Sequence, residues 1–581
     1  VLFRSVLAAY GAIGFRFLLL GVHHLAFGTG EYTLAHLESL PWWRRLLLPT
    51  AGGLAVGVIV YLVSPEVRGS GIPEVMEAVV RKGGAIRARV VATKAVAAAL
   101  TIGSGGSAGR EGPIVHIGSA IGSALGQLLQ VSARRMRTFV ACGAAAAIAA
   151  TFNAPIAGAL FAIEVVLVDI RVSSMSPIVI SSVVATVISR HHLGDFPAFE
   201  VPGYDLVSFR ELFLYAALGL VAGLLAWVFI RVLYLTSDLF ERSALPAWTR
   251  PALGGLAVGA IALFLPHVFG VGYETINASL WGEASLGLLG LVVVAKLAAT
   301  ALSLGSGGSG GIFAPSLFLG ASAGAAFGQV VNRLFPSWTA DPGAYALVGM
   351  GAVVSAATHA PITAILIIFE LTNDYRIIPP LMLACVIGVL LSSQLSRDSI
   401  YTTKLARRGV ELNAGRDVNL LKSIRVEEVM EPAEHAVPEG MPLAELLPRL
   451  LGGERPTAIV VDGAGRYAGL VELGDVREVL PQSDELSAIA VAADVADRFA
   501  PFVVPGDSLD LVMHLLGRSH REELAVCDTS EHRELVGAVT RRAVIDAYNR
   551  RIFQADLTGG FGSLLDAVRE GRTMEVLGGV H

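Results

Sequence analysis

Two stretches of this chain, GSGGSAGREGPIVHIGSAIGSALGQ from Gly103 and GSGGSGGIFAPSLFLGASAGAAFGQ from Gly305, align without a gap at an offset of 202. The glycines, Ser107/Ser309, Pro113/Pro315 and the closing Gly-Gln recur. A second pair lies at an offset of 206: Gly143, Asn153-Ala-Pro and Glu164 against Gly349, His359-Ala-Pro and Glu370. One unit has been used twice. The parts that repeat are those that interrupt a helix, rich in glycine and headed by proline. Duplication for packing alone does not call for interruptions at matching places.

The duplicated unit is made for lipid. Of 581 residues, 54% are hydrophobic and 16% charged, against about 25% charged in a soluble chain. Residues 212–230 and 377–395 carry no charge, and about 20 apolar residues span a bilayer as a helix. Residues 138–163 and 345–369 run longer but are broken by FNAP and THAP, and 69–73 is broken by Gly and Pro. Non-helical backbone is tolerated at membrane depth only when buried in protein or lining a wet cavity, so the breaks point to a pathway. Charges become frequent from Arg397. The membrane part is therefore expected over 1–408, with repeats roughly at 40–200 and 210–400. Duplicated transport units pack as inverted repeats with the substrate site between them.

Other classes are poorly supported. The net charge of -5 argues against a nucleic-acid partner, and Cys142, Cys385 and Cys527 lie too far apart for a disulfide framework or a zinc site. No Ser-His, HExxH or paired-aspartate constellation points to an enzyme, and no metal or cofactor site is expected. The chain begins at Val1 without Met, so its N-terminus is expected upstream; Arg4 and Arg16 interrupt residues 1–20, which do not read as a cleaved signal peptide. His23-His24 and His191-His192 are expected in solvated turns.

After a linker expected at 409–424, the soluble tail also repeats: strand, helix, strand, strand, helix. Val437-Pro438 precedes a helical stretch at 442–451, a strand at 457–461, a DGAG turn and Ala468-Gly-Leu-Val. Val504-Pro505 precedes 508–516, then 524–527, a polar turn and Val536-Gly-Ala-Val. The expected units are 425–490 and 491–553, with a terminal tail at 554–581.

The chemistry lies in the breaks. Every helix N-terminus presents four unpaired N–H groups and about half a positive charge, and so binds anions. GREGP, GIFAP and GSGIPE place proline where the first turn starts, and Ser70 adds a hydroxyl. Moving a carboxylate-sized ion into a medium of ε ≈ 4 costs on the order of 20 kcal/mol, and one hydrogen bond to a charged group returns about 1.5–3 kcal/mol. Several converging ends are needed, and no fixed cation is expected among them, because conduction requires an ion that can leave. A phosphate-binding loop is disfavoured, since no lysine follows the glycines.

These residues resemble the CLC chloride channels and chloride/proton exchangers over about residues 10–410. Gly69-Ser70-Gly71-Ile72-Pro73-Glu74, Gly109-Arg110-Glu111-Gly112-Pro113 and Gly311-Ile312-Phe313-Ala314-Pro315 are similar to that family's three selectivity-filter segments, in order. Asp398-Ser-Ile-Tyr401 resembles the place of its filter tyrosine, and the tail resembles paired CBS domains. The fold implied is an all-α polytopic CLC membrane domain of two inverted repeats with broken helices, followed by an α/β CBS pair. The resemblance implies a homodimer in the lipid bilayer, in the plasma (inner) membrane with the CBS pair cytoplasmic, and a separate chloride path in each subunit. It implies an anion site formed by the Ser70 and Tyr401 hydroxyls with the backbone N–H groups beside Gly311, at Ile312 and Phe313. Glu111 is implied as the gate: a tethered carboxylate that competes with chloride until protonation frees it. Arg110 is not expected to be a ligand.

Two departures bear on the activity. Exchangers of the family typically carry a second acid directly after the glutamate matching Glu164, on the proton path; here Val165 stands there, which favours a channel over an exchanger. The CBS pattern for adenine nucleotide, G-x-[IV]-[ST]-x-x-D, reads Gly469 to Asp475 with Glu472 in place of the hydroxyl, and Gly537 to Ala543 with Thr540 kept but the acid lost. Nucleotide is therefore doubtful, and bracing or gating is the expected role of the tail. A CBS-regulated membrane receptor is a remote alternative. Serine at position 70 points to chloride rather than nitrate, for which the family carries proline.

Overall fold

In the computed structural model the apolar runs become helices. It describes residues 2–556, except 30–32, 168–171, 195–198, 200, 205, 373–374, 411–420, 422–423, 434, 453–456, 475, 477–489 and 520. The chain divides into two compact units, Val1–Glu411 and Leu412–His581.

The first unit is helical among the described residues. Its helices are α1 (Leu2–Phe27), α2 (Leu34–Ser39), α3 (Trp42–Leu62), α4 (Ile72–Arg81), α5 (Arg89–Gly103), α6 (Glu111–Leu128), α7 (Ala133–Phe152), α8 (Pro155–Phe161) and α9 (Val172–Leu193). Then follow α10 (Glu211–Arg242), α11 (Arg250–Phe264), α12 (Tyr273–Leu280), α13 (Leu286–Gly305), α14 (Phe313–Leu334), α15 (Pro342–Thr358), α16 (Pro361–Thr372), α17 (Ile378–Leu395) and the short α18 (Thr402–Arg407). Among the described residues, six helices are long and apolar enough to cross a membrane. Setting α2 aside, α1 and α3–α9 correspond in order to α10–α17. The first repeat therefore begins at α1, earlier than residue 40.

Reciprocal contacts reveal a pseudo-two-fold relation between the copies. Gly109 N donates to Gly311 O (2.7 Å) while Gly311 N donates to Gly109 O (2.6 Å), an antiparallel exchange between repeat mates. Glu164 accepts from the N–H groups of Ile362 (3.2 Å) and Thr363 (2.7 Å) at the start of α16. Its mate Glu370 accepts from Ile156 (2.9 Å) and Ala157 (2.7 Å) at the start of α8. Each repeat thus caps the broken helix of the other. FNAP and THAP end their helices alike, with Asn153 (φ 60°) and His359 (φ 56°) in left-handed conformation before the next proline-headed segment.

Within each repeat, backbone meets backbone through glycine. A Cβ on Gly143 would strike the Gly118 carbonyl, and one on Gly349 the Gly320 carbonyl, so α6–α7 and α14–α15 pack at separations that only small residues permit. One expectation is corrected here: His23 is not solvated but buried on α1, with Nδ1 2.8 Å from Thr29 O. The Phe27 ring stacks on it and shields it from water.

The second unit carries two three-stranded sheets. In the first, β1 (Ala436–Pro438) runs parallel to β2 (Thr457–Val461), which pairs antiparallel with β3 (Tyr467–Glu472). In the second, β4 (Phe502–Val503), β5 (Glu523–Cys527) and β6 (Leu535–Thr540) repeat that pattern, each copy with an irregularity in its antiparallel pair. Helices α19 (Leu443–Gly452), α20 (Ala492–Val495), α21 (Leu509–Ser519) and α22 (Arg541–Asp556) complete the described elements. The two cores exchange lead-in segments. Ile424, Val426 and Val429 pack with Val503, Leu509 and Val526, while Ala492 and Val495 pack with Val437, Leu446 and Val460. A division at 490/491 therefore cuts through both cores. Most of the expected linker and of the tail beyond 556 lies outside the described residues.

Candidate functional site

Three helix starts are stitched together by backbone hydrogen bonds. Gly69 N donates to Gly308 O (2.9 Å) and Gly310 N to Gly69 O (3.2 Å), tying the lead-in of α4 to that of α14. The Gly109–Gly311 exchange ties α14 to α6. Gly112 faces Ser70 O and Gly311 Cα so closely that a Cβ would lie 2.5 and 3.0 Å from them. Gly71, at φ 89°, turns the chain into α4 in a conformation that side-chain-bearing residues avoid. The GSGIPE, GREGP and GIFAP segments are thus neighbours, and Ile72, Pro73, Pro113, Ile312, Phe313, Ala314 and Pro315 are all buried around the junction.

Glu111 begins α6 and is fully buried. Tyr273 Oη donates to its Oε1 at 3.3 Å, and Oε2 has no hydrogen-bond partner among the described residues. Gly109 leaves the room this oxygen occupies, since a Cβ there would collide with it. The Tyr401 hydroxyl is likewise buried without a partner, within electrostatic reach of Glu111. Ser70 is 8% exposed. A junction of amide-rich helix ends holding a tethered carboxylate and an unpaired hydroxyl suits a small anion.

Arg110 is not aimed at the junction; its guanidinium lies over the Tyr273 ring at 5.2 Å. With Arg16, His23 and Glu274 it borders a cavity of about 340 Å³ reaching Tyr273. Both carboxylate oxygens of Glu164 are engaged at α16, Oε2 also accepting from Thr363 Oγ1 (2.6 Å), and Val165 is buried.

Several residues here escaped the sequence reading. Tyr273 heads α12, whose Gly270-Val-Gly-Tyr lead-in matches Gly69-Ser-Gly-Ile at an offset of 201. There are thus four duplicated helix starts, and the missing proline hid the fourth. Two lysines that the sequence reading did not single out also lie beside these segments. Lys94 is buried against the lead-in of α4, its Nζ donating to Val67 O (3.0 Å) and Gly69 O (2.6 Å). Its mate Lys296 binds Val268 O (3.0 Å) and Gly270 O (2.8 Å). Paired lysines at an offset of 202 were the available signal. Each donates to two carbonyls of a lead-in turn, and so braces the segment.

In the tail, the Thr540 hydroxyl accepts from Ala543 N (3.1 Å) and caps α22. Glu472 pairs with Arg521 (3.4 Å), which also reaches Asp497 (3.1 Å). Glu523, buried, accepts from Thr457 Oγ1 and lies 3.0 Å from His435 Nε2, joining the two halves. Asp475 lies outside the described residues.

A family model described as voltage gated chloride channel matches residues 52–393, and a CBS domain model matches 426–482. The chain belongs to the voltage-gated chloride channel family, the CLC proteins, with C-terminal CBS domains. It is 39% identical over 403 residues to a ClcB-like chloride channel protein of Ralstonia nicotianae, covering 69% of this chain and 94% of that one. It is 34% identical over 409 residues to the voltage-gated ClC-type chloride channel ClcB of Escherichia coli O127:H6, covering 69% and 97%. Among solved structures it is similar to a slow cyanobacterial Cl-/H+ antiporter (TM-score 0.63, 27% identity, 71% of this chain and 97% of that one). A eukaryotic CLC transporter shares the fold across 93% of this chain and 96% of its own (TM-score 0.61, 22% identity).

Proposed function

We propose that this chain carries chloride across the membrane through a separate path in each subunit of a homodimer, and that Glu111 shuts the path by standing where chloride would bind. The observation that carries this reading is the fully buried Glu111 carboxylate at the junction of three stitched helix starts, with Oε2 unpaired and fitted against Gly109. Protonation removes the charge that holds the side chain at the amide ends, so it leaves and chloride enters. The central ion is held by the Ser70 and Tyr401 hydroxyls and the Ile312 and Phe313 amides. Partial charges balance a desolvated halide without trapping it. We assign Glu164 to holding α16, and the CBS pair to a cytoplasmic bracing role. The uses already made of Thr540 and Glu472 speak against adenine nucleotide.

Val165, buried and apolar, supports a chloride channel. A second reading, chloride/proton exchange, is favoured by a buried histidine, His116, that lines a cavity bordered by charged side chains near the junction. The reversal potential of purified protein in bilayers decides between them. At fixed chloride, a channel holds its potential as the proton gradient changes, and an exchanger shifts it. Absence of chloride current or flux under every gradient contradicts both.

A further inference from the structure

A cavity of about 450 Å³ has a use that chloride passage alone does not give it. Its wall includes the exposed Lys82, Arg87 and Arg408 together with Glu74 and His116. His116 is 2% exposed. Its Nδ1 and Glu74 Oε2 are buried polar atoms without a hydrogen-bond partner among the described residues. Leaving a buried polar atom unpaired is costly, and such groups in a native protein call for an explanation. A space of this size with polar walls admits water.

The duplication shows what the fold itself needs at this position. The repeat mate of His116 is Phe318. The Phe318 ring lies 4.9 Å from Lys296 Nζ and covers Gly272, where a Cβ would fall 2.6 Å from it. His116 fills the same niche in the first repeat: it covers Gly71, where a Cβ would fall 2.8 Å from Nδ1, within electrostatic reach of Lys94. A flat ring suffices for packing, and the imidazole is something more. The same asymmetry separates Glu111 from its mate Phe313. On α6 the carboxylate and the imidazole both stand where α14 has phenylalanine. They stand five positions apart, about 7.5 Å along the helix axis.

We propose that His116, reached through this cavity past Glu74, relays protons to Glu111, so that the chain exchanges protons for chloride by an inner route that does not use position 165. The proposal rests on the exchanger reading above. A proton from the cavity adds to the neutral imidazole. The imidazolium passes a proton through intervening water to the Glu111 carboxylate, returns to neutral, and leaves a carboxylic acid that withdraws as chloride enters. The charged groups facing His116 are Glu74 on α4, Lys94 on α5 and Lys404 on α18. Glu74 is itself paired with Lys404 (2.6 Å) and Arg408 (3.4 Å).

The test records chloride and proton flux together from liposomes containing the purified full chain. The wild type should move protons against chloride. His116→Phe, which installs the ring used by the second repeat, should lower proton flux about tenfold or more, a loss typical of a deleted proton-transfer group, while chloride flux stays within about two-fold because Glu111 still takes and returns protons on the opposite side of the membrane. A coupled wild type whose His116→Phe variant keeps the same proton-to-chloride ratio overturns the relay and leaves exchange standing. A wild type that moves chloride but no protons overturns exchange, and the relay with it. If His116→Phe loses both fluxes, His116→Gln is read the same way: selective loss of proton flux supports the relay, while an unchanged ratio or loss of both fluxes overturns it.

Discussion

Gly109 and Glu111 act as a pair. The glycine leaves the volume that the carboxylate oxygen fills, and a methyl group there would meet both Glu111 Oε2 and, at 3.0 Å, Ala314 Cβ. Overpacking of this kind costs about 1–3 kcal/mol, and here it falls on the shut position of the gate. Gly109→Ala should therefore raise chloride flux at neutral pH about tenfold, read as efflux from liposomes, and weaken its response to acid. Glu111 was legible in the sequence because its mate is Phe313: an acid that packing does not require has another purpose. Tyr273 was not, since it donates from a segment whose repeat mate carries isoleucine and proline. Lys94 and Lys296 were hidden because each reads as one charge in an apolar helix until the carbonyls it serves are seen.

At the scale of elements, the broken helices exchange caps. Glu164→Gln weakens the charge-assisted bonds at the start of α16 and should lower stability by about 1 kcal/mol, measured by thermal unfolding in detergent. Chloride flux should stay within about two-fold, because the side chain holds a helix rather than an ion. Glu370→Gln should match it, since it does the same work in the other repeat. In the soluble unit, Asp462 accepts from the N–H groups of Arg466 and Ala464 (2.9 Å each) and from the Arg466 side chain. The backbone bond to Arg466 foremost, with the others, holds its carboxyl below the ordinary value of 3.8. The stabilisation is full above 3.8 and is lost as pH falls through the lower folded value. The melting difference between wild type and Asp462→Asn should accordingly narrow between about pH 6 and about pH 3. The breaks at FNAP and THAP were legible because proline and a left-handed residue stop a helix by local rules. The exchange of lead-in segments between the CBS cores was not, because apolar residues such as Val426 and Ala492 fit either sheet equally well by pattern.

Across the whole molecule, duplication is the governing fact. Repeat mates meet at Gly109 and Gly311, so the two-fold relation passes through the junction of helix starts, and the proposed anion site belongs to neither copy alone. The alignment of the two copies revealed the duplication; it did not reveal which surfaces face each other, since that depends on glycine contacts such as Gly112 on Ser70. The account stands on Glu111 occupying the anion's place at this junction. The direct measurement is chloride efflux from liposomes over a range of pH, for wild type and Glu111→Gln. Acid should speed the wild type, while the variant runs fast at every pH; a Glu111→Gln protein that keeps the wild-type response to pH would show that Glu111 does not stand in the anion's place.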